Sequence, residues 1–292
     1  MDQANSLRSI LDTKNKFKQN LSSRVITVTS GKGGVGKTNF TVNLALSLQK
    51  HNARVLILDA DLGLANIEIL LGVSPKLGLM DIFTSNYKIN EVVSSSSYGV
   101  NFISGGSGLS ELANLRQSHL RHIIESLVYL DDIADIILID TGAGISDTVL
   151  NFVKASQEVI VITAPEPTSI TDAYSLIKTA KEQMSSSTKF SVVVNRTENK
   201  SEGEVVFRNL SKVSQRFLDI QLLYLGAIPH DNNLIKSVKQ QKPAIVLYPN
   251  SSFSKEIENI ATRILNKNNE IKANDQIGGM KGFVKRLAGI VK

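Results

Sequence analysis

Ser30-Gly31-Lys32-Gly33-Gly34-Val35-Gly36-Lys37-Thr38 lies between an apolar run, Arg24-Val25-Ile26-Thr27-Val28-Thr29, and an amphipathic one from Asn39 to Lys50. Read from Gly31, it fits the phosphate-loop template G-x-x-x-x-G-K-[ST], and its flanks read as the strand and the helix that the template requires. The four glycines let the backbone turn tightly and aim several N–H groups inward, and the helix that follows adds the positive end of its dipole. Lys37 supplies a point charge to the β- and γ-phosphates, and the Thr38 hydroxyl is placed to ligate Mg²⁺. The stretch therefore predicts a nucleoside triphosphate site made of Gly31, Lys32, Gly33, Gly34, Val35, Gly36, Lys37 and Thr38, with Asn39 in the first helical turn.

Outward from the loop, apolar runs alternate with helical stretches. Strands are expected near 24–29, 54–59, 99–103, 135–140, 158–163, 190–194 and 223–228, and helices at 36–50, 109–128, 167–183, 204–217 and 253–266. The strand runs are continuous in Val, Ile and Leu rather than alternating, as in strands buried on both faces. The pattern predicts an α/β fold, a doubly wound, mostly parallel sheet with helices on both faces and ligands at the strands' carboxyl ends.

Acidic residues close two of those strands, in Asp59-Ala60-Asp61-Leu62-Gly63 and in Asp140-Thr141-Gly142-Ala143-Gly144. Carboxylates at the mouth of a phosphate site can hold Mg²⁺, directly or through water, or orient the attacking water. A helix cap is the ordinary alternative for any one of them. Asn195 ends the run at 190–194 and Pro229 lies in Ile228-Pro229-His230-Asp231, so both are candidates for the base-binding end, although an Asn in that place also forms turns.

The ends of the chain differ from its middle. The net charge of +6 resides in residues 1–20, at +2, and 281–292, at +4, which leaves the core formally neutral. That counts against a broad basic face for nucleic acid, so DNA is not an expected partner. No cysteine is present, which excludes disulfides and thiolate metal sites. The start lacks a secretion signal and no apolar run approaches a membrane span, which points to the cytoplasm.

Residues 1–20 read as a short arm with Ala4, Leu7, Ile10 and Leu11 on or beside one helical face; it either folds back on the core or orders on a partner. Residues 21–265 form the α/β domain, 266–280 a polar linker, and 281–292 a final helix. In that helix Phe283, Val284, Leu287, Ile290 and Val291 share a side flanked by Lys281, Lys285, Arg286 and Lys292, the pattern of an interfacial membrane helix; a final helix packed on the core is the alternative, against which the polar linker counts. One copy binds weakly, since each basic residue at an anionic leaflet contributes roughly 1 kcal/mol. Two copies on a dimer gain avidity.

Lys32, in Lys32-Gly33-Gly34-Val35-Gly36-Lys37-Thr38, resembles the signature lysine of the deviant P-loop ATPases, the group that contains MinD, ParA and the nitrogenase iron protein. The resemblance covers about residues 24–265. It implies slow hydrolysis of ATP with Mg²⁺, and an ATP-sandwich homodimer in which Lys32 reaches the partner's phosphates. By position it makes Lys32, Lys37 and Asp61 catalytic, with Asp61 orienting water, assigns Thr38, Asp59 and Asp140 to the metal, and puts Asp140, Gly142 and Gly144 in switch II. Cysteine-dependent iron–sulfur carriers are excluded, and the tail favours the MinD side over ParA.

Asp2-Gln3-Ala4-Asn5-Ser6-Leu7-Arg8 is further similar to the D-Q-A-x-x-L-R arm of the flagellar MinD-like ATPases FlhG, FleN and YlxH, and Asp140-Thr141-Gly142-Ala143-Gly144 resembles their switch II. This likeness implies regulation of flagellar number and placement, with activation of the flagellar signal-recognition-type GTPase FlhF through Asp2, Gln3, Ala4, Leu7 and Arg8. It further implies basal-body (C-ring) partners and an ATP-bound dimer peripherally held on an anionic membrane by the tail. The rival readings are a ParA-type DNA-partition or regulatory ATPase, a division-site MinD, and a nucleotide-gated adaptor.

Overall fold

The computed structural model describes residues 22–61, 66–79, 81–85, 87–105, 126–184, 188–266 and 278–290. The arm at 1–20, with Asp2, Gln3, Ala4, Leu7 and Arg8, lies outside them, as do Val291, most of the helix expected at 109–128 and most of the linker. Eight strands form one sheet in the order β3-β4-β2-β5-β1-β6-β7-β8. They are β1 (Arg24–Ser30), β2 (Val55–Ala60), β3 (Ser94–Ser95), β4 (Asn101–Ile103), β5 (Ile136–Ala143), β6 (Glu158–Thr163), β7 (Lys189–Thr197) and β8 (Leu223–Pro229). Every neighbouring pair is parallel except β3 with β4. The expected doubly wound, mostly parallel sheet is therefore what the chain forms. β3 is the added strand: two serines carry no apolar signal, and they pair only because the chain folds back at Gly99, whose φ is 86°.

Six helices of nine residues or more pack on this sheet among the described residues: α1 (Lys37–Lys50), α2 (Asp147–Ala155), α3 (Pro167–Glu182), α4 (Lys200–Leu218), α5 (Ser252–Asn266) and α6 (Gly279–Ile290). Alternate strand residues divide the core. Ile26, Val28, Leu138, Ile160, Val193 and Leu225 meet Leu44 and Leu48 of α1 and Ile257 and Ile260 of α5 on one face. On the other, Val25, Ile137 and Ile139 lie with Phe152 of α2 and with α6, while Val159, Val161, Val192 and Val194 lie under α2, α3 and α4. Burial on both faces accounts for the unbroken apolar runs.

The C-terminal helix is docked in this structure: Phe283, Val284, Leu287 and Ile290 face the protein. Met280, Phe283 and Val284 are buried, Leu287 and Ile290 pack beside them, and the Phe283 ring stacks on Phe152 at 6.1 Å between centroids. Arg286 donates from Nε to Ala155 O at 2.7 Å, and Lys285 is exposed. Full burial of each large apolar side chain contributes roughly 1.5–3 kcal/mol, so an apolar face that suits a membrane also suits an uncovered stretch of sheet.

Asp131 fixes both the start of this helix and the start of the sheet. Its Oδ1 accepts from Met280 N at 2.8 Å and from Ser23 N at 3.1 Å, with the Ser23 hydroxyl donating to the same oxygen. Lys281 N donates to Oδ2 at 3.2 Å. A side chain on Gly279 would lie 2.7 Å from Ser22 Cβ, and its φ of 73° is left-handed, so this close approach requires glycine.

Candidate active site

β1 stops at Ser30 and α1 begins at Lys37, which leaves residues 31–36 as a turn at the carboxyl end of the sheet's centre. Gly36 caps α1 with a φ of 93° and no side chain bonds the helix's first N–H groups, nor is there an acid in its first turn. Those groups remain for an anion. Gly34 has a φ of 76°, and a side chain there would meet nothing within 4 Å. Gly31 is crowded instead: a Cβ would lie 2.2 Å from the backbone carbon of Asp172 in α3.

The register pairs Asp59 on β2 with Asp140 on β5, so two expected carboxylates stand side by side behind the loop. Asp140 is fully buried; its Oδ1 accepts from Thr41 Oγ1 at 2.9 Å and from Lys37 Nζ at 3.3 Å. Burial pushes its carboxyl up, against the opposing pull of the Lys37 charge and the Thr38 and Thr41 hydroxyls. Asp59 Oδ1 accepts from Asp61 N at 3.1 Å. Burial first, then the Asp140 charge, pushes the Asp59 carboxyl up to about 7.

The second oxygen of each, Asp59 Oδ2 and Asp140 Oδ2, is buried without a partner. Orphaned carboxylate oxygens beside a hydroxyl fit a hard cation, with Thr38 completing the protein's share. No cluster of three or more acidic or histidine side chains that could hold a metal occurs among the described residues. Mg²⁺ suits that economy, because it binds through one or two carboxylates and takes phosphate oxygens and water for the rest.

These carboxyls set a pH dependence. In the folded chain Asp59 keeps its proton up to about 7, against 3.8 in an ordinary carboxyl, so the nucleotide-free protein loses stability as pH rises between those values. A proton also competes with Mg²⁺. Affinity for Mg-ADP, measured by titration calorimetry, accordingly rises with pH through about 7, and Asp59→Asn weakens binding and flattens the curve. Parent affinity unchanged across that window would rule out Asp59 as a ligand.

Lys32 sits at the rim rather than inside the cradle: Nζ donates to Glu166 Oε2 at 2.6 Å and to Thr168 Oγ1 at 2.9 Å, with Lys32 and Glu166 both solvent-accessible. The Glu166 carboxyl is held below its usual range by this bond and the Lys32 charge, with Arg196 adding to it. Asn195 is buried at the end of β7, but its amide serves the loop: Nδ2 donates to Val35 O at 2.7 Å and Oδ1 accepts from Arg196 N at 2.9 Å. Pro229 ends β8 opposite Thr197, and His230 N donates to Thr197 O. Asn39 accepts through its backbone from Asn43 in α1. At the end of β5, Gly144 has a φ of 93° and its N–H donates to Ser30 O at 2.9 Å, and a Cβ on Gly142 would lie 3.5 Å from Asp61 Oδ1.

Over residues 22–265 the chain matches the ParA family model, described as "NUBPL iron-transfer P-loop NTPase". The chain is a ParA/MinD-family P-loop ATPase. Iron transfer through thiolates does not extend to this member, which has no cysteine. It is 40% identical over 264 residues to the antiactivator FleN of Pseudomonas aeruginosa, covering 90% of this chain and 93% of that one. With the flagellum site-determining protein YlxH of Helicobacter pylori it shares 33% identity over 291 residues, 98% of each. MinD of Pyrococcus horikoshii, solved with Mg-ADP, superposes with a TM-score of 0.67 at 24% identity, covering 87% of this chain and all of that one, a likeness of fold. ATP and Mg²⁺ are the substrate and metal of such an ATPase.

Thr41, Glu166, Thr168 and Arg196 escaped the sequence reading. Thr41 had a signal, since it follows Lys37 by one helical turn and so shares its face. Glu166 had none: it precedes Pro167 at the start of α3, 134 residues from Lys32.

Proposed function

We propose that this ATPase is a MinD-like switch of the flagellar type, which pairs two subunits around ATP, binds an anionic membrane through its tail, and sets flagellar number and placement. Lys32 carries the reading. Lys37 serves the subunit's own cradle, whereas the Lys32 ammonium rests on exposed Glu166 and Thr168 at the rim, from which it can turn outward to a second subunit's phosphates. Mg²⁺ supplies charge neutralisation to the phosphate oxygens. Asp61 orients the attacking water, and hydrolysis separates the subunits. The printed roles of the two relatives, antiactivator and flagellum site-determining protein, favour the flagellar type. On this reading the arm activates the GTPase FlhF through Gln3, and basal-body proteins are further partners.

Membrane binding then requires α6 to leave the groove it occupies. One helix gains little beyond what it loses there, while two helices on a dimer bind together. The reading is tested by sedimentation with vesicles of anionic and of neutral lipid. Protein is expected to pellet with anionic vesicles in ATP and a non-hydrolysable analogue but not in ADP, and Asp131→Ala, which removes the acceptor at the start of α6, to raise pelleting in ADP. FlhF added to the same samples reports the arm through GTP turnover, which Gln3→Ala lowers. A protein that ignores vesicles in every state and binds nonspecific DNA with a steep salt dependence is instead a partition ATPase.

A further inference from the structure

The Arg196 guanidinium does more than lend charge to Glu166. Pairing of β7 with β8 shifts between Asn195 and Thr197, which makes Arg196 the extra residue of a bulge. Its φ of 59° is left-handed, a conformation that costs a residue with a side chain on the order of 1 kcal/mol. Bulges beside active sites re-aim side chains, and this one turns Arg196 off the sheet and over the phosphate loop. There Nη2 donates to Gly34 O at 2.5 Å, while Asn195 Nδ2 donates to the next carbonyl, Val35 O, at 2.7 Å. Two adjacent side chains at the end of one strand thus grip two consecutive peptides of the cradle.

A trans peptide is planar, and its C=O and N–H point in opposite directions. Holding the Gly34 carbonyl toward β7 aims the Val35 N–H away from β7, to the side where a loop of this template receives phosphate oxygens. The Gly34 end of that peptide is loosely held, because Gly34 has the freedom of glycine and an open side, whereas Val35 is anchored by its buried side chain and by Asn195.

We propose that Arg196 is a positioning residue for the nucleotide, its guanidinium fixing the Gly34–Val35 peptide so that the loop meets the phosphates already organised. The inference depends on ATP binding alone and not on the membrane or the arm. Removing one charge-assisted hydrogen bond that organises the cradle is expected to weaken binding about tenfold. Uniform loss of this kind raises KM while leaving kcat near the parent value.

The test compares Arg196→Ala, Arg196→Gly and Arg196→Lys by calorimetry with Mg-ADP, steady-state ATP hydrolysis and melting of the nucleotide-free protein. The Ala and Gly variants should both bind about tenfold more weakly and show the raised KM, and Lys, which restores one donor, should recover most of the loss. Arg196→Gly should melt no lower than the parent, because it relieves the left-handed backbone. Parent affinity in Arg196→Ala would overturn the proposal. So would parent affinity in Arg196→Gly, which would reduce the residue to its backbone, or a loss that Lys leaves unrelieved.

Discussion

Asp61→Ala is expected to lower ATP turnover by about 10²–10⁴-fold, the usual weight of a positioned acid–base group, while Mg-ATP still binds. The geometry separates the two properties. Asp61 reaches Asp59 through its backbone N–H, which donates to Asp59 Oδ1, and its own carboxylate lies near Gly142. Removing it leaves the cradle, Lys37, Thr38, Asp59 and Asp140 in place. Phosphate release and nucleotide affinity measured on one preparation distinguish the effects, and under the proposed function the variant should accumulate as dimer on anionic vesicles. A variant that turns over at the parent rate would remove Asp61 from the reaction.

Gly31→Ala should disable the site by a different route. Its Cβ would lie 2.2 Å from the carbonyl carbon, 2.3 Å from the carbonyl oxygen and 2.6 Å from the following nitrogen at Asp172 and Ala173. All three belong to the backbone of α3, which cannot step aside as a side chain would. Overpacking of this kind costs roughly 1–3 kcal/mol or more, and the loop must shift from α3 to accommodate it, carrying the cradle with it. A lowered melting temperature together with lost Mg-ADP binding is the expected pair of results. Gly34→Ala is the contrast: its side chain meets open space and pays only for its left-handed φ, about 1–2 kcal/mol. Equal behaviour of the two would show that contact with α3 is unimportant.

The centre of this site was legible because each of its parts is local in sequence. The loop, its strand and its helix are contiguous, and Asp59 and Asp140 announce themselves by closing apolar runs. Asn195 is legible as a polar residue near a strand end, but nothing local says that its amide donates to Val35 O. Arg196 was invisible for a related reason: a bulge is a property of two paired strands, and one strand's sequence does not contain its partner's register. The tail shows the limit most plainly. Its amphipathic face was read correctly, but two apolar surfaces compete for such a face, and the groove beside Phe152 is assembled from residues more than a hundred positions away.

Asp131 has a spatial consequence. By collecting donors from Ser23 on one side and from Met280 and Lys281 on the other, it makes the roots of the two chain ends neighbours, with Ser22 against Gly278 and Gly279. The docked α6 and the first residues before β1 therefore share one acceptor. Whatever draws α6 from its groove also loosens the root of the opposite chain end, so the two ends respond to one event.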